Sequence, residues 1–286
     1  MTSRTRSIEI RQINIAMHAP HSPRRYVDLF QKTYGLQYVH KRGRSDGYML
    51  GALYDVDSAV EKDELRGEIY RFTNIDPNSP WFNTQTGKPA DEDETGRIAI
   101  PGHLHPNLDR MPFVFRPKSH RFWYVSKDRK ASMGPGVAES FLHSLFERVC
   151  IAHNFSPVNV TVVPDKAAVD EVFSIGRLTR LTMVFKRPND DGSEIERSIK
   201  EKMERRRVNR LVEMMTSQEP LGILPDADLV EEAKAASTNG HVESEGYNDI
   251  GETIQQSTAS KPALYSRSLN EEVETISQLL LRTSNG

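Results

Sequence analysis

Two histidines in one short segment have the spacing and the neighbours of a candidate metal site. His103 and His105 lie two residues apart, Asp109 follows closely, and His120 lies further along the chain. Imidazole and carboxylate groups bind zinc and related ions, and a hydrolytic centre needs them to converge around an open position. A metal-dependent nuclease built on these residues is one hypothesis, although the chain contains neither H-E-x-x-H nor C-x-x-C. The alternative is an ordinary loop whose turns are set by the neighbouring prolines.

Basic residues offer a second kind of chemistry, the binding of phosphate groups. Residues 200–210 contain six basic residues and two acidic ones, and smaller basic groups precede them. Neutralising several phosphates gives an affinity that falls steeply with salt and carries little sequence information. Arginines near Trp123 and Tyr124 can also support stacking of bases on those rings. We therefore expect a nucleic-acid-binding protein, with DNA favoured over RNA and both left open. Its expected phosphate contacts are Lys41, Arg42, Arg44, Lys118, Arg121, Lys200, Lys202, Arg205, Arg206, Arg207 and Arg210.

The segment 194–215 is predicted to be one long helix that carries most of this charge. Its apolar ridge, Ile195, Ile199 and Met203, advances by four residues and continues onto Arg206, Arg207 and Arg210. Because the face that is apolar in the first turns is basic in the later ones, we expect the helix to pass from one packing environment to another. The alternative is a solvated helix held by ion pairs such as Glu201 with Arg205.

Charge is distributed unevenly along the 286 residues, although the formal net charge is only −2. Residues 1–44 have nine basic side chains against two acidic ones, and residues 219–286 have four against twelve. Such asymmetry is typical of a polyanion-binding surface at one end and a partner-binding or self-shielding segment at the other. We expect the acidic tail to screen the basic surface, so that deleting the residues beyond Pro225 raises nucleic-acid affinity. A third hypothesis is a pure interaction subunit in which the two oppositely charged ends dock on one another or across a dimer, with a homodimer or a defence-system protein as the partner.

Several function classes are disfavoured by what the sequence lacks. Neither G-x-x-x-x-G-K-[ST] nor G-x-G-x-x-G occurs, no apolar run is long enough to span a membrane, and no signal peptide is visible. A single cysteine, Cys150, fits a reducing compartment. We therefore expect a cytoplasmic protein that does not contact a membrane, and we assign no catalytic residue, metal ligand or cofactor.

The periodicity of apolar residues predicts an α+β fold, with a mixed, mainly antiparallel sheet packed with helices and a smaller helical and β-hairpin C-terminal part. The opening strand has two apolar phases, Ile8 and Ile10 followed by Ile13 and Ile15, which predicts a bulge near Arg11 and Gln12. A long surface excursion is expected over 76–110, with Trp81 and Phe82 pinning it to the core. Strands are expected at 48–54, 65–73, 111–115, 120–126, 158–163 and 178–186, helices at 22–35, 137–149, 167–174, 226–236 and 270–281, and a hairpin around 247–251.

The composition of residues 187–192, Arg-Pro-Asn-Asp-Asp-Gly, is that of a hinge. It predicts a main α+β domain over residues 1–187 and a C-terminal part over residues 188–286.

Five distinctive phrases are spread over most of the chain: residues 21–26 (HSPRRY) with Leu29 and Phe30, 67–76 (GEIYRFTNID) with 80–82 (PWF), 117–121 (PKSHR), 186–189 (KRPN) and 239–242 (NGHV). These phrases resemble a bacterial family of domains of unknown function found near mobile elements and defence genes. This resemblance implies a whole-chain match and a role in anti-phage defence, with no catalytic motif.

A more distant resemblance concerns the order of elements in the second half of the chain. The strand at 160–163, the helix at 167–174, the strand at 176–185, the following helices and the hairpin at 243–256 resemble the later half of the RexA phage-exclusion family. That resemblance implies a dimeric DNA-binding sensor without strong sequence specificity, and it assigns no role to any residue.

Overall fold

Fifteen strands and seven helices make up the part of the chain described by the computed structural model, which is residues 5–18, 21–153, 155–187, 193–218 and 221–285. The helices are α1 (Pro23–Gly35), α2 (Glu92–Thr95), α3 (Pro135–His153), α4 (Ala167–Phe173), α5 (Glu194–Arg206), α6 (Ala227–Asn239) and α7 (Ile276–Ser284). The strands are β1 (Thr5–Met17), β2 (His40–Arg42), β3 (Asp46–Tyr54), β4 (Leu65–Thr73), β5 (Phe82–Asn83), β6 (Lys88–Pro89), β7 (Asp109–Arg116), β8 (Arg121–Asp128), β9 (Ala131–Ser132), β10 (Val158–Val162), β11 (Arg177–Lys186), β12 (Arg210–Thr216), β13 (Gly240–Tyr247), β14 (Thr253–Ser257) and β15 (Tyr265–Asn270). The predicted α+β class is confirmed.

A nine-stranded antiparallel sheet forms the larger layer of the fold. Its order is β10-β1-β8-β7-β4-β3-β2, with β15 added to β1 and β9 added to β8. One face is covered by α1 and α3, whose apolar sides meet the sheet in a core that includes Phe30, Phe113, Phe122 and Phe146. The helix α1 begins as its sequence predicts, because Ser22 accepts a hydrogen bond from the backbone N–H of Arg25.

The strand β1 is buried on opposite faces in its two halves. Ile8 and Ile10 lie in a cluster with Leu279 and Leu280 of α7, whereas Ile13 and Ile15 lie in the core under α1 and α3. Even and odd residues of a regular strand face opposite sides, so the two apolar phases need no slip in β1 itself. The bulge predicted near residues 11–12 is wrong; the register shift lies between Glu9 and Ile10, in the pairing with β8.

A second sheet, in the order β12-β11-β13-β14, carries α5 and α6 on one face. Its core includes Met183, Phe185, Met203, Ala236 and Val242, all with less than 3 % of their surface exposed. The short helix α4 adds Val169 and Val172 to the same cluster. The strands at 158–163 and 178–186 and the hairpin at 247–251 are confirmed as β10, β11 and the β13–β14 connection.

The single helix predicted over 194–215 is wrong, because α5 ends at Arg206 and the chain continues as the edge strand β12. Arg207 adopts a left-handed backbone with φ of 56° and closes the helix. Leu211 and Met215 then pack beneath β12, while Val212 and Met214 face outward. That alternation has the period of a strand, whereas the sequence interpretation placed the same residues on one helical stripe.

Two further expectations change. Phe82 is 65 % exposed and does not anchor the excursion over 76–110, which contains only β5, β6 and α2 before β7 begins. The last helix begins at Ile276, because residues 265–270 form β15 and pair with β1. Within the described residues, no helix combines the length and apolarity needed to cross a membrane.

Both sheets draw on segments from each side of the predicted domain boundary. β11 precedes residue 187 and lies in the second sheet, whereas β15 follows it and lies in the first. The hinge composition at residues 188–192 falls outside the described residues. The division at residue 187 stays a prediction.

Candidate nucleic-acid interface

Four arginines occupy the connection between α5 and β12. Arg205 and Arg206 are in the last turn of α5, Arg207 is its left-handed cap, and Arg210 is the first residue of β12; all four are exposed. Cations at a helix C-terminus stabilise the macrodipole by about 0.3–1 kcal/mol each, which accounts for basic residues in the last turn. It does not account for a fourth arginine beyond the cap. We call residues 205–210 the arginine turn.

The acidic side chains beside the arginine turn bind other cations. Glu204 pairs with Arg187 and lies 3.8 Å from the ammonium of Lys200. Glu213, on β12, pairs with Lys202. The Glu201–Arg205 pair of the solvated-helix alternative is not formed, and the arginines of the turn make no ion pair with another described residue. Their charges therefore remain open to a polyanion.

Two lysines predicted as phosphate contacts lie elsewhere on α5. Lys200 is buried, and burial is the main reason why its pKa is lowered. Lys202 is partly buried against Glu213. Because both stems pack within the fold, the structure groups only the four arginines of the turn on this surface.

A polar cluster fixes the C-terminal half of α5 against the large sheet. The side-chain amide of Asn159, on β10, lies 3.1 Å from Nε2 of His18 and donates to the carbonyl oxygen of Arg187 at 3.3 Å. Burial, aided by the charges of Arg187 and Lys200, lowers the pKa of His18 to about 4. A neutral imidazole accepts the hydrogen bond that the Asn159 amide donates. This cluster joins the end of β1 to the helix that carries the arginine turn.

The basic hairpin between β2 and β3 is separate from the arginine turn. Lys41, Arg42 and Arg44 are exposed, but β2 is the edge strand farthest from β10 in the sheet order. Arg42 lies opposite Asp46 in the β2–β3 register. Followed through β4, β7 and β8, this register places the hairpin at the end of the sheet where β1 begins. The C-terminal half of α5 lies at the opposite end, near His18. The structure therefore does not bring these two basic groups together.

The basic residues between β7 and the start of β8 belong neither to the arginine turn nor to the β2–β3 hairpin. Lys118 is exposed, whereas Arg121 lies in a cleft between the large sheet and α6. Trp123 and Tyr124 are 7 % and 0 % exposed. The idea that these two rings stack on the bases of a nucleic acid at an open surface is wrong, because Trp123 packs under Tyr265 and Tyr124 against Phe122.

The histidines of the metal hypothesis do not converge. The ring of His105 stacks on Phe72 at a centroid distance of 4.6 Å, and the ring of His120 lies 4.6 Å from that of Tyr26. In the described part of the chain, no group of three His, Cys, Asp or Glu side chains is arranged to hold a metal ion. The metal-dependent nuclease is therefore set aside.

The acidic tail is built into the fold. β13 and β14 are two strands of the second sheet, and α6 packs on that sheet. Leu269 and Leu279 lie in a buried cluster on the first sheet. Glu271 pairs with Arg6 and Arg129, and Glu274 pairs with Arg282. Glu271 and Glu274 therefore pair with arginines outside residues 200–210, and the expectation that the tail screens the basic surface stays a prediction.

The fold and this surface define a class of protein: a two-sheet α+β chain with an exposed arginine cluster at a helix-to-strand turn. Residues 6–285 match the family model described as domain of unknown function DUF4747. Because the match covers nearly the whole chain, the protein belongs to this family. A comparison with curated proteins gives no match.

Proposed function

We propose that this protein binds nucleic acid with low sequence specificity through the arginine turn, and that it acts as a sensor or subunit in bacterial anti-phage defence. The observation that carries the proposal is the exposure of four arginines within six residues, without a described acidic partner. Guanidinium groups bind phosphate oxygens through two parallel hydrogen bonds, which makes such a cluster suited to a nucleic-acid backbone.

Low specificity follows from the type of contact. Phosphate contacts set affinity and register but read no base, and the turn offers no aromatic side chain or amide next to the arginines except Asn209. The preference for DNA and a homodimeric state rest on the resemblance in element order to the RexA family, and the defence role rests on both resemblances. They are part of the same proposal.

The test is a salt titration of binding to duplex DNA, single-stranded DNA and RNA, measured by fluorescence anisotropy. Arg206→Glu combined with Arg207→Glu is expected to remove most of the affinity. Arg42→Glu combined with Arg44→Glu is the matched control, because it makes the same change of charge at the distant hairpin. Equal losses in the two variants would show a general charge effect and contradict a site on the arginine turn.

A second candidate function, a protein-interaction subunit, is favoured by the edge strand β12. Its outward side chains Val212 and Met214 are 48 % and 64 % exposed, and unpaired edge strands with apolar side chains are typical association sites. Salt-independent association that Met214→Lys removes, without measurable binding to DNA or RNA, would favour this function over the first.

A further inference from the structure

A cleft lies between the outer face of the large sheet and α6, away from the arginine turn. Gln12 of β1 and Arg121 of β8 line a cavity of about 440 Å³, together with Lys234 and Thr238 of α6. An adjoining cavity of about 480 Å³ is lined by Trp123 and Leu264. Both cavities include Asp165, Lys166 and Tyr265, so they form two halves of one site. Their size falls within the range of about 300–1,000 Å³ found for small-molecule sites.

The cationic half of this cleft contains a guanidinium group that lacks a partner. Nη1 of Arg121 is buried and has no hydrogen-bond partner among the described residues. Burial lowers the pKa of Arg121, and the charge of Glu196 only partly offsets this effect. Glu196 itself accepts hydrogen bonds from Asn239 and from the backbone of Ser193. A buried charge without a partner is costly in the empty protein, and an anion in the cleft would offset the charge of the guanidinium group that lines it.

Three basic side chains and one carboxylate line this half of the cleft. Lys166 is exposed and has no ion pair with a described residue. Asp165 uses a carboxylate oxygen to accept a hydrogen bond from the backbone of Ala167, and Lys234 pairs with Glu231 at 2.7 Å. Two cations, Arg121 at the floor and Lys166 at the rim, therefore remain for a ligand.

The other half of the cleft is aromatic and apolar. The rings of Trp123 and Tyr265 lie with their centroids 5.0 Å apart and an interplanar angle of 54°. Ala263 and Leu264 complete this wall. Such a surface accepts a planar ring by stacking and by burial of apolar area.

We propose that this cleft binds a nucleoside monophosphate, with the phosphate on Arg121 and Lys166 and the base against the ring of Tyr265, which covers Trp123. The guanidinium fork fits the oxygens of a phosphate group, and the two halves of the cleft match the two chemical parts of the ligand. The site is independent of the proposed nucleic-acid surface, because none of the four arginines of the turn lines it.

The experiment is isothermal titration calorimetry of the full chain with AMP, GMP, CMP and UMP, and with inorganic phosphate. At least one nucleotide is expected to bind once per chain and more tightly than phosphate. Arg121→Met is expected to weaken nucleotide binding by about tenfold or more, since a hydrogen bond to a charged group is lost. Tyr265→Ala is expected to weaken binding of the nucleotide but not of phosphate. The matched control Arg42→Met should bind as the wild type does.

Two further measurements separate a ligand site from a structural role. The melting temperature of ligand-free Arg121→Met is expected to equal or exceed that of the wild type, because Nη1 loses no described partner. If that variant fails to fold, Lys166→Gln at the exposed rim tests the same site. The proposal is overturned if no nucleotide binds at millimolar concentration, if phosphate alone binds as tightly, or if binding survives in the Arg121 or Lys166 variant. Arg206→Glu with Arg207→Glu should retain nucleotide binding, so this proposal and the previous one fail separately.

Discussion

The side-chain amide of Asn14, on β1, donates a 2.9 Å hydrogen bond to the side-chain oxygen of Asn239, the last residue of α6. Both residues are only 4 % exposed, and the amide of Asn239 donates in turn to Glu196 of α5 at 2.7 Å. This chain of bonds ties the large sheet to the two helices of the second sheet. Inside a protein such a network is strong when it is complete and costly when one member is lost.

Removing one member of this network should destabilise the protein. Asn14→Ala leaves the oxygen of Asn239 without its donor, and a buried unsatisfied group costs about 1–3 kcal/mol. Asn239→Ala should cost a similar amount, and the double variant should cost less than the sum of the two. Urea unfolding of the four proteins measures these values. Strictly additive effects would show that the two side chains are not coupled.

Lowering the pH should destabilise the fold through His18. Its pKa is about 4 in the folded chain and about 6.5 in an unfolded one, so between these values only the unfolded state binds the proton. The free energy of unfolding should therefore rise with pH across this window, by at most about 3 kcal/mol from this group. The pH profile of His18→Gln, measured by urea unfolding, should lack that rise. A parallel profile in both proteins would assign the effect to other groups.

Neutral substitutions in the arginine turn should change the salt dependence of nucleic-acid binding. Each phosphate contact on duplex DNA contributes about 0.9 to the slope of log K against log salt concentration. Arg206→Gln with Arg207→Gln should therefore reduce the magnitude of that slope by about two, if both arginines contact phosphates. Anisotropy titrations at several salt concentrations measure it. An unchanged slope with weaker binding would point to a loss of structure at the turn.

Gly240, between α6 and β13, should not tolerate a side chain. A Cβ there would lie 1.8 Å from the carbonyl oxygen of Val184 on β11, and backbone cannot move aside as a flexible side chain can. Gly240→Ala should lower the free energy of unfolding by about 2 kcal/mol or more. Gly102→Ala is the matched control, because nothing lies within 4 Å of a Cβ at that position. Equal stability of the two variants would contradict this close approach.

Deleting the residues beyond Pro225 should unfold the second sheet instead of raising nucleic-acid affinity. The deletion removes α6, β13 and β14, and with them Ala233, Ala236 and Val242 from the core. It also removes β15 and α7, which cover Ile8 and Ile10. Circular dichroism and solubility measure the outcome. A soluble, cooperatively melting truncation with higher DNA affinity would support the idea of a screening tail.

Much of the fold could be predicted from the sequence, since local signals agree with tertiary packing in those elements. Ser22 and Pro23 mark the start of α1, and the apolar spacing of residues 137–149 marks α3. β12 was missed because Val208, Leu211, Val212 and Met215 fit a helical stripe as well as a strand. No alternation in the sequence separates the two, because the inward set Leu211, Glu213 and Met215 and the outward set Arg210, Val212 and Met214 each contain two apolar residues and one charged residue.

The candidate site could be predicted only in part, because charge in a sequence does not say which acid a cation meets. Lys200 and Lys202 belong to the same basic segment as Arg206, yet both lie beside carboxylates. Arg121 was expected on an open surface and lies in a cleft whose other lining residues range from Gln12 to Tyr265 in the chain. Such pairings arise from long-range topology, which local spacing does not encode.

The pairing of β1 with β15 has a consequence for synthesis of the chain. Thr5 lies opposite Asn270, so this edge of β1 stays unpaired until β15, the last strand of the chain, has been synthesised. At typical translation rates the interval is tens of seconds, during which Ile8 and Ile10 have no cover from α7. We expect the nascent chain to need a chaperone over this period, and folding after release to be slow.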